Sequence, residues 1–263
     1  MSDTRFAKRY KEYKKLLANS PIQQHGSDHH KESLLKSIDN AHRLLSSPKA
    51  RKAFDLSLES KESYDTYKVG GRFGLGCLLA KRLTEAGARF IEVTHGYYPF
   101  KYWDTHDNGH TKMKDLKNMI DAPIAQLVLD LEKSKLLDRT LIVVASEFSR
   151  DMMMEGKPEK RVKDQVQVPA RIDGPQHYGM HRHFTGAGSV LLFGGGIKKG
   201  FVYGETADER PCTTIKDPIN TQQLHATMYR ALGIPHDHHY NVEQRPFYVT
   251  PDGVTEPVMD LFG

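Results

Sequence analysis

Thr140 to Arg150 reads TLIVVASEFSR. Its first six residues are almost wholly apolar and largely β-branched, and a polar, charged segment follows at once. An apolar run of this length is strand-sized. A strand without polar alternation is one covered on both faces, as in the centre of a parallel sheet. Downstream, Ser189 to Phe193 (SVLLF) is another apolar run, ended by Gly194-Gly195-Gly196. Upstream, Arg89 to Thr94 (RFIEVT) reads as a third strand. Lys112 to Leu136 has helical periodicity, with Pro123 expected in the first turn of its second part. Arg72 to Ala86 reads as an amphipathic helix closed by Gly87, and Asn220 to Leu232 as one closed by Gly233. Ser149 to Met180 reads as a long polar loop. Phe247 to Thr250 reads as a short strand before a Pro251-Asp252-Gly253 turn. From Gly70 onward helix and strand alternate. This predicts an α/β fold with a mostly parallel sheet flanked by helices.

The first 69 residues have a different texture. Thr4 to Asn19 is charged, with Phe6, Tyr10, Tyr13, Leu16 and Leu17 at helical spacing. Ser20-Pro21 breaks it. Lys31 to Leu45 repeats the pattern, and Ser47-Pro48 opens a short third helix through Phe54. We therefore expect a helical polar arm at 1–69 and an α/β domain at 70–263.

Composition narrows the class. The chain has 263 residues, with 38 Lys and Arg against 33 Asp and Glu, a formal net charge of +5. Apolar residues make up 38% of the chain, which supports a core and excludes global disorder. A mean hydropathy of −0.59 and the lack of a long apolar run exclude a membrane-spanning helix, and no membrane partner is expected. Cys77 and Cys212 alone form neither a disulfide framework nor a four-Cys zinc site, so the compartment stays open. The N-terminal MSDTRFAKRYKEYKK has no apolar h-region, so no signal peptide is visible. The isoelectric point is near 9.0, but Lys and Arg read as scattered, and no nucleic-acid partner is expected. Histidine is abundant, with 14 residues, and it is the commonest metal ligand and neutral-pH acid or base.

Ligands of open α/β sheets sit beyond the carboxyl ends of the strands. RFIEVT runs into HGYYPFKYWDTHDNGH, which delivers His95, Asp104, His106, Asp107 and His110. TLIVVA ends at Ser146-Glu147. His177, His181 and His183 precede SVLLF, and His225 sits in the Asn220 helix. Carboxylates with imidazoles suit zinc or another borderline divalent metal. No pair has the HExxH spacing. Each candidate also has a bland reading. His225 is a packed helix histidine, Glu147 is a solvated loop carboxylate or pairs with Arg150, and Trp103 packs its loop or walls a site. The HDHHY cluster (His236, His238, His239) lies on the surface, and His25, His29 and His30 are solvated. Gly70, Gly71, Gly74 and Gly76 follow no strand and lack a Lys-Ser/Thr ending, so they are not a nucleotide loop.

Several strings together resemble the DUF1501 family of the alkaline phosphatase-like, or sulfatase-like, superfamily. They are FDL (Phe54 to Leu56), RFGLGCLLAKRLTEAGARFIEV (Arg72 to Val93), WDTH (Trp103 to His106) and DAPIAQLVLDLEKSKLLDRTLIVVASEFSR (Asp121 to Arg150). LLFGGGIKKGFVYG (Leu191 to Gly204), QLHATMYRALGI (Gln223 to Ile234) and QRPFYVTPDG (Gln244 to Gly253) complete the set. The likeness runs from about Ala53 to Gly263. It implies that Asp104 and His106 bind a first metal. Glu147 takes the place of an Asp that binds a second metal, with Phe148 where a neighbouring His ligand stands in alkaline phosphatases. His183 matches a ligand ahead of the next strand, and His225 a ligand or a partner of one. The implied cofactor is a divalent metal, zinc first, with manganese, calcium and magnesium as alternatives.

Two departures qualify the carry-over. Arg182 stands where the family has Asp; it and Arg150 are then candidates to face an anionic substrate. The superfamily's N-terminal strand, which supplies a metal-binding Asp and the nucleophile, is not found before Gly70. The nucleophile is unassigned, and the family's usual export signal is missing. The chain thus reads as the C-terminal part of a longer protein, with a sheet incomplete at its N-terminus and inactive by itself. The implied chemistry is metal-dependent hydrolysis of phosphate or sulfate esters, with a sulfated polysaccharide among the implied substrates. The alternative is a non-catalytic metal-stabilised or polyanion-binding module. An exposed sheet edge predicts self-association into a homo-oligomer.

Overall fold

The computed structural model describes residues 3–21, 25, 27–96, 98, 101–105, 108–150, 161–162, 166–167, 174, 183–208 and 212–263. Among these, seven α-helices and ten short strands occur, and every strand pair is antiparallel. The helices are α1 (Asp3–Ala18), α2 (Asp28–Ser46), α3 (Pro48–Phe54), α4 (Lys61–Lys68), α5 (Gly71–Ala86), α6 (Gly109–Lys133) and α7 (Thr221–Ala231). No described helix is long and apolar enough to cross a membrane. The chain divides into two units, residues 1–65 with 78–92 and residues 66–77 with 93–263.

The first unit is helical, as its patterning predicts. The apolar side of α1 meets α2. His42 stacks on Tyr10 with centroids 3.9 Å apart and on Phe6 at 5.5 Å, Tyr10 Oη bonds Asp39, and Leu17 is buried. Ser47 ends α2 and caps α3, accepting from the Ala50 N–H at 3.3 Å, with Pro48 opening α3. Arg82, on α5, donates through Nε to the Ala53 carbonyl at 3.0 Å and also bonds the Lys52 carbonyl and Glu59. Gly87 closes α5 with φ of +93°, and the Ala88 N–H reaches back to the Leu83 carbonyl at 2.9 Å, a six-to-one closure that favours glycine.

In the second unit, packing centres on the junction of α4 with α5 and on α6. Tyr67 is fully buried, and its hydroxyl donates to Asp130 at 2.9 Å. Pro123 lies inside a continuous α6 rather than in the first turn of a separate helix. It has no N–H for the Met119 carbonyl. Gly70 backbone lies against both groups, since a Cβ there would fall 2.3 Å from the Pro123 ring and 2.7 Å from that carbonyl. Pro123 is thus buried under a glycine, and the helix continues past it. Helix α7 begins at Asn220, which accepts from Gln223 N at 2.8 Å while Gln223 Oε1 accepts from Asn220 N at 3.1 Å, a capping box.

The predicted parallel sheet is corrected by the strand pairing. β1 (Ile142–Val144) pairs antiparallel with β6 (Leu191–Phe193), with Ile142 opposite Phe193 and Val144 opposite Leu191. The reason lies in the three glycines after β6. They have φ of +72°, +59° and +82°, and Gly195 N–H bonds the Leu137 carbonyl at 3.1 Å. A Cβ on Gly194 would stand 2.4 Å from the carbonyls of Leu137 and Thr140. The end of β6 is therefore pinned to the start of β1, which forces opposite directions. Both strands are only part-buried, so β1 is not a central strand.

Arg89 to Thr94 likewise forms no ladder among the described residues. Ile91, Val93 and His95 are half-buried while Glu92 and Thr94 are exposed, the side-to-side alternation of an extended segment. The remaining strands are β2 (Ser149–Arg150) with β5 (His183–Phe184), β3 (Arg161–Val162) with β4 (Val166–Gln167), and β7 (Glu205–Thr206) with β8 (Thr214–Lys216). β9 (His239–Val242) and β10 (Arg245–Tyr248) form a hairpin whose two turn residues, Glu243 and Gln244, have φ of +50° and +65°. The short strand expected near Phe247 is β10. Most of the polar stretch expected at 149–180 lies outside the described residues.

Candidate functional site

Four of the five candidate metal ligands fall in three places, and the fifth, His106, lies outside the described residues together with Asp107. Asp104 sits in a turn built from aromatics. Its N–H donates to the Lys101 carbonyl at 3.1 Å, and the Lys101 N–H to Tyr98 at 3.1 Å. Tyr102 has φ of +55°, and Thr105 is buried. The turn is anchored by Trp103, whose Nε1–H donates to His95 Nδ1 at 2.7 Å. Phe73 meets the His95 ring edge-on at 5.2 Å, and Tyr102 at 6.2 Å. Burial holds the His95 pKa below the ordinary histidine value. Asn108 follows in the left-handed region with φ of +47°, and its buried Oδ1 has no partner among the described residues.

The second place is the β2–β5 ladder, which carries His183 and begins two residues after Glu147. The register of β2 and β5 sets Arg150 opposite His183 and Ser149 opposite Phe184. His183 stacks flat on Phe148, with centroids 4.1 Å apart and planes 22° from parallel. Glu147 is the exposed residue just before that ring. The ladder is tied by Ser149, whose Oγ lies 2.7 Å from the Ala187 carbonyl and 3.2 Å from that of Phe184. Ser146 Oγ donates to the Phe148 carbonyl at 3.1 Å. The Ser146 and Ser149 hydroxyls are thus directed at backbone oxygens, not at a base that could activate them. Arg182 lies outside the described residues, and Arg150 is placed by its backbone alone.

His225 lies on the exposed face of α7. Its neighbour Thr227 faces inward instead, accepting from the Val258 N–H at 3.0 Å. Among the described residues no three His, Cys, Asp or Glu side chains gather as a ligand group. The donors have the chemistry zinc takes, but the described ones do not by themselves make a metal centre. His238 and His239 contact Tyr240 and Tyr248 on the exposed hairpin.

Residues 1–261 match the family described as "Protein of unknown function (DUF1501)". The chain belongs to the DUF1501 family. The match takes in the helical arm of this DUF1501 protein, upstream of the motifs that begin at Ala53. No curated protein and no solved structure matches the chain.

Two features of the site went unread in the sequence. The His95–Trp103 bond joins residues eight apart across a turn, and the only signal was that the chain's single Trp lies beside Asp104. The engagement of Ser146 and Ser149 by backbone carbonyls leaves no mark in composition or spacing.

Proposed function

We propose that this DUF1501 protein is an alkaline phosphatase-like protein that acts on phosphate or sulfate esters. The observation that carries the proposal is the β2–β5 ladder. It joins two motifs separated by more than thirty residues, with Arg150 opposite His183 in the register and Phe148 stacked on His183. A guanidinium and an imidazole are groups that recognise an anionic ester oxygen. The metal, zinc in the first place, belongs to the proposal through donor chemistry alone: Asp104, His106, Glu147, His183 and His225 offer two carboxylates and three imidazoles. No reaction step is routed through it.

A second reading is favoured by the serines. With Ser146 and Ser149 bonded to carbonyls, neither stands ready as a nucleophile, which supports a binding module without turnover. Elemental analysis of the purified chain, with Asp104→Ala and His183→Ala alongside, separates the readings when joined to a screen of phosphate and sulfate esters. About one ion per chain, lost in both variants, together with ester hydrolysis, supports the hydrolase. Metal or ester binding without hydrolysis supports the module. Neither metal nor ester binding in a folded chain ends both.

A further inference from the structure

Helix α1 carries six Lys and Arg against two Asp and Glu, so these 16 residues hold four of the chain's five net positive charges. Helix α3 is basic as well, with three cations and no carboxylate, but α1 carries the larger charge. The arrangement on that helix is also one-sided. At about 100° per residue, Phe6, Leu17 and Tyr10 fall on one side, the side that meets α2 through His42 and Asp39, with Tyr13 at its edge. Lys11, Lys15, Lys8, Arg5 and Arg9 fall in the opposite arc of roughly 160°, spread over about 15 Å of helix. All five are exposed. The single carboxylate in the arc, Glu12, is bonded by Lys15 at 3.0 Å. A shallow groove of about 490 Å³ runs along this face, lined by Arg5, Lys8, Arg9, Glu12, Tyr13 and Leu16.

We propose that this outward face of α1 is a docking surface for a linear sulfated polysaccharide. Charge complementarity requires a polyanion. The helix cannot bury its apolar side in a lipid surface, because that side is already packed on α2. Phe6 and Tyr10 are stacked on His42 and offer no platform for nucleic-acid bases. A thin anionic chain can follow the groove, with Tyr13 and Leu16 as apolar contacts at its end. The choice of a sulfated polymer among polyanions rests on the ester reading above; the docking face does not.

The test compares the full chain with Arg5→Gln/Lys8→Gln/Lys11→Gln and with a control of equal charge, Lys114→Gln/Lys117→Gln/Lys133→Gln. Gln keeps helix propensity close to that of Lys and Arg, and circular dichroism checks that both variants fold. Binding of dextran sulfate is measured across a salt series. The α1 variant is expected to lose about tenfold or more in affinity, with a salt slope shallower by about 2, taking roughly 0.7 per cation for a single-stranded polyanion. The control stays within about twofold of the wild type. Equal losses in both variants, or none in either, overturn the docking face. Tighter binding of duplex DNA or of anionic vesicles, with the same dependence on α1, overturns the polysaccharide as its occupant. Ester hydrolysis is assayed in parallel. Loss of polymer binding in the α1 variant of a chain that neither binds nor hydrolyses small esters removes the ester reading and leaves the docking face standing.

Discussion

Trp103 Nε1–H donates to His95 Nδ1 at 2.7 Å. Indole is a donor only, so Nδ1 must present its lone pair, and the His95 ring is neutral with its proton on Nε2. Burial favours the same neutral form and lowers the pKa from its ordinary value of 6.5. The unfolded chain therefore takes up a proton at His95 before the folded chain does. The bond's stability is fully present above pH 6.5 and is lost as pH falls through the lowered folded value. Trp103 is the chain's sole tryptophan, so its fluorescence reports this turn alone. Its emission should hold from neutral pH down to 6.5 and change below it, while His95→Gln shows no such step. A midpoint at or above the ordinary value, or the same step in His95→Gln, would sink the assignment.

Gly74 is required for a different reason. A Cβ there would stand 1.8 Å from the Tyr67 carbonyl oxygen, a backbone atom that cannot swing aside. Ala is worth about 1 kcal/mol more than Gly in a helix interior, but overpacking of this kind costs about 1–3 kcal/mol and occasionally more. With so close a clash the second effect wins, and Gly74→Ala should destabilise by about 2 kcal/mol in urea unfolding. At Gly87 a Cβ meets nothing within 4 Å, and only its φ of +93° opposes substitution. Gly87→Ala should cost about 1 kcal/mol. Equal costs at the two positions would contradict the close approach of α4 and α5.

Glu59 is the ionic centre of the first unit. Burial works to raise its pKa, but bonds from Arg82 and Ser63 and the charge of Lys81 overcome this and hold its carboxyl below the ordinary carboxylate value. Stability from this group is present above the unfolded value of about 4.5 and is lost as pH falls through the depressed folded value. Arg82 also satisfies the carbonyls that end α3. Arg82→Ala should cost on the order of 2–3 kcal/mol at neutral pH. Below the folded pKa of Glu59 the difference should shrink, because the protonated carboxyl no longer needs the cation. Chemical denaturation of both proteins in a series of falling pH from 7 measures it, and a difference that does not shrink anywhere along the series would remove the ion pair from the account.

The local elements were legible because their signals are local. Ser47-Pro48, Gly87, Gly233 and Asn220 each mark a helix end by their own chemistry, and the structure places helix ends at all four. Strand direction was not legible. TLIVVA and SVLLF carry the composition of central strands, yet their pairing is set by Gly194 and Gly195 closing on Leu137 and Thr140, a long-range contact that apolar patterning does not encode. At the site, SEFSR and His183 could be named as candidates from resemblance. Their meeting depends on a two-residue ladder that neither segment announces alone. The charge of α1 was legible in its own residues but is diluted when the whole chain is averaged.

Ser149 and Ser146 differ in a way that a stability measurement resolves. Ser149 Oγ bridges from β2 to the Phe184 and Ala187 carbonyls, holding the strand that carries His183. Ser146 Oγ reaches only the Phe148 carbonyl two residues along, from an exposed position where water replaces it readily. Ser149→Ala should therefore lose about 1 kcal/mol, the net worth of a part-buried hydrogen bond. Ser146→Ala should stay within about 0.5 kcal/mol of the wild type. Because His183 stacks on Phe148, the Ser149 variant should also loosen that ring pair, visible as averaging of the His183 imidazole shifts in nuclear magnetic resonance. Equal stability of the two variants, with His183 unmoved in both, would mean that the ladder is held by its backbone bonds and that Ser149 is free for another role.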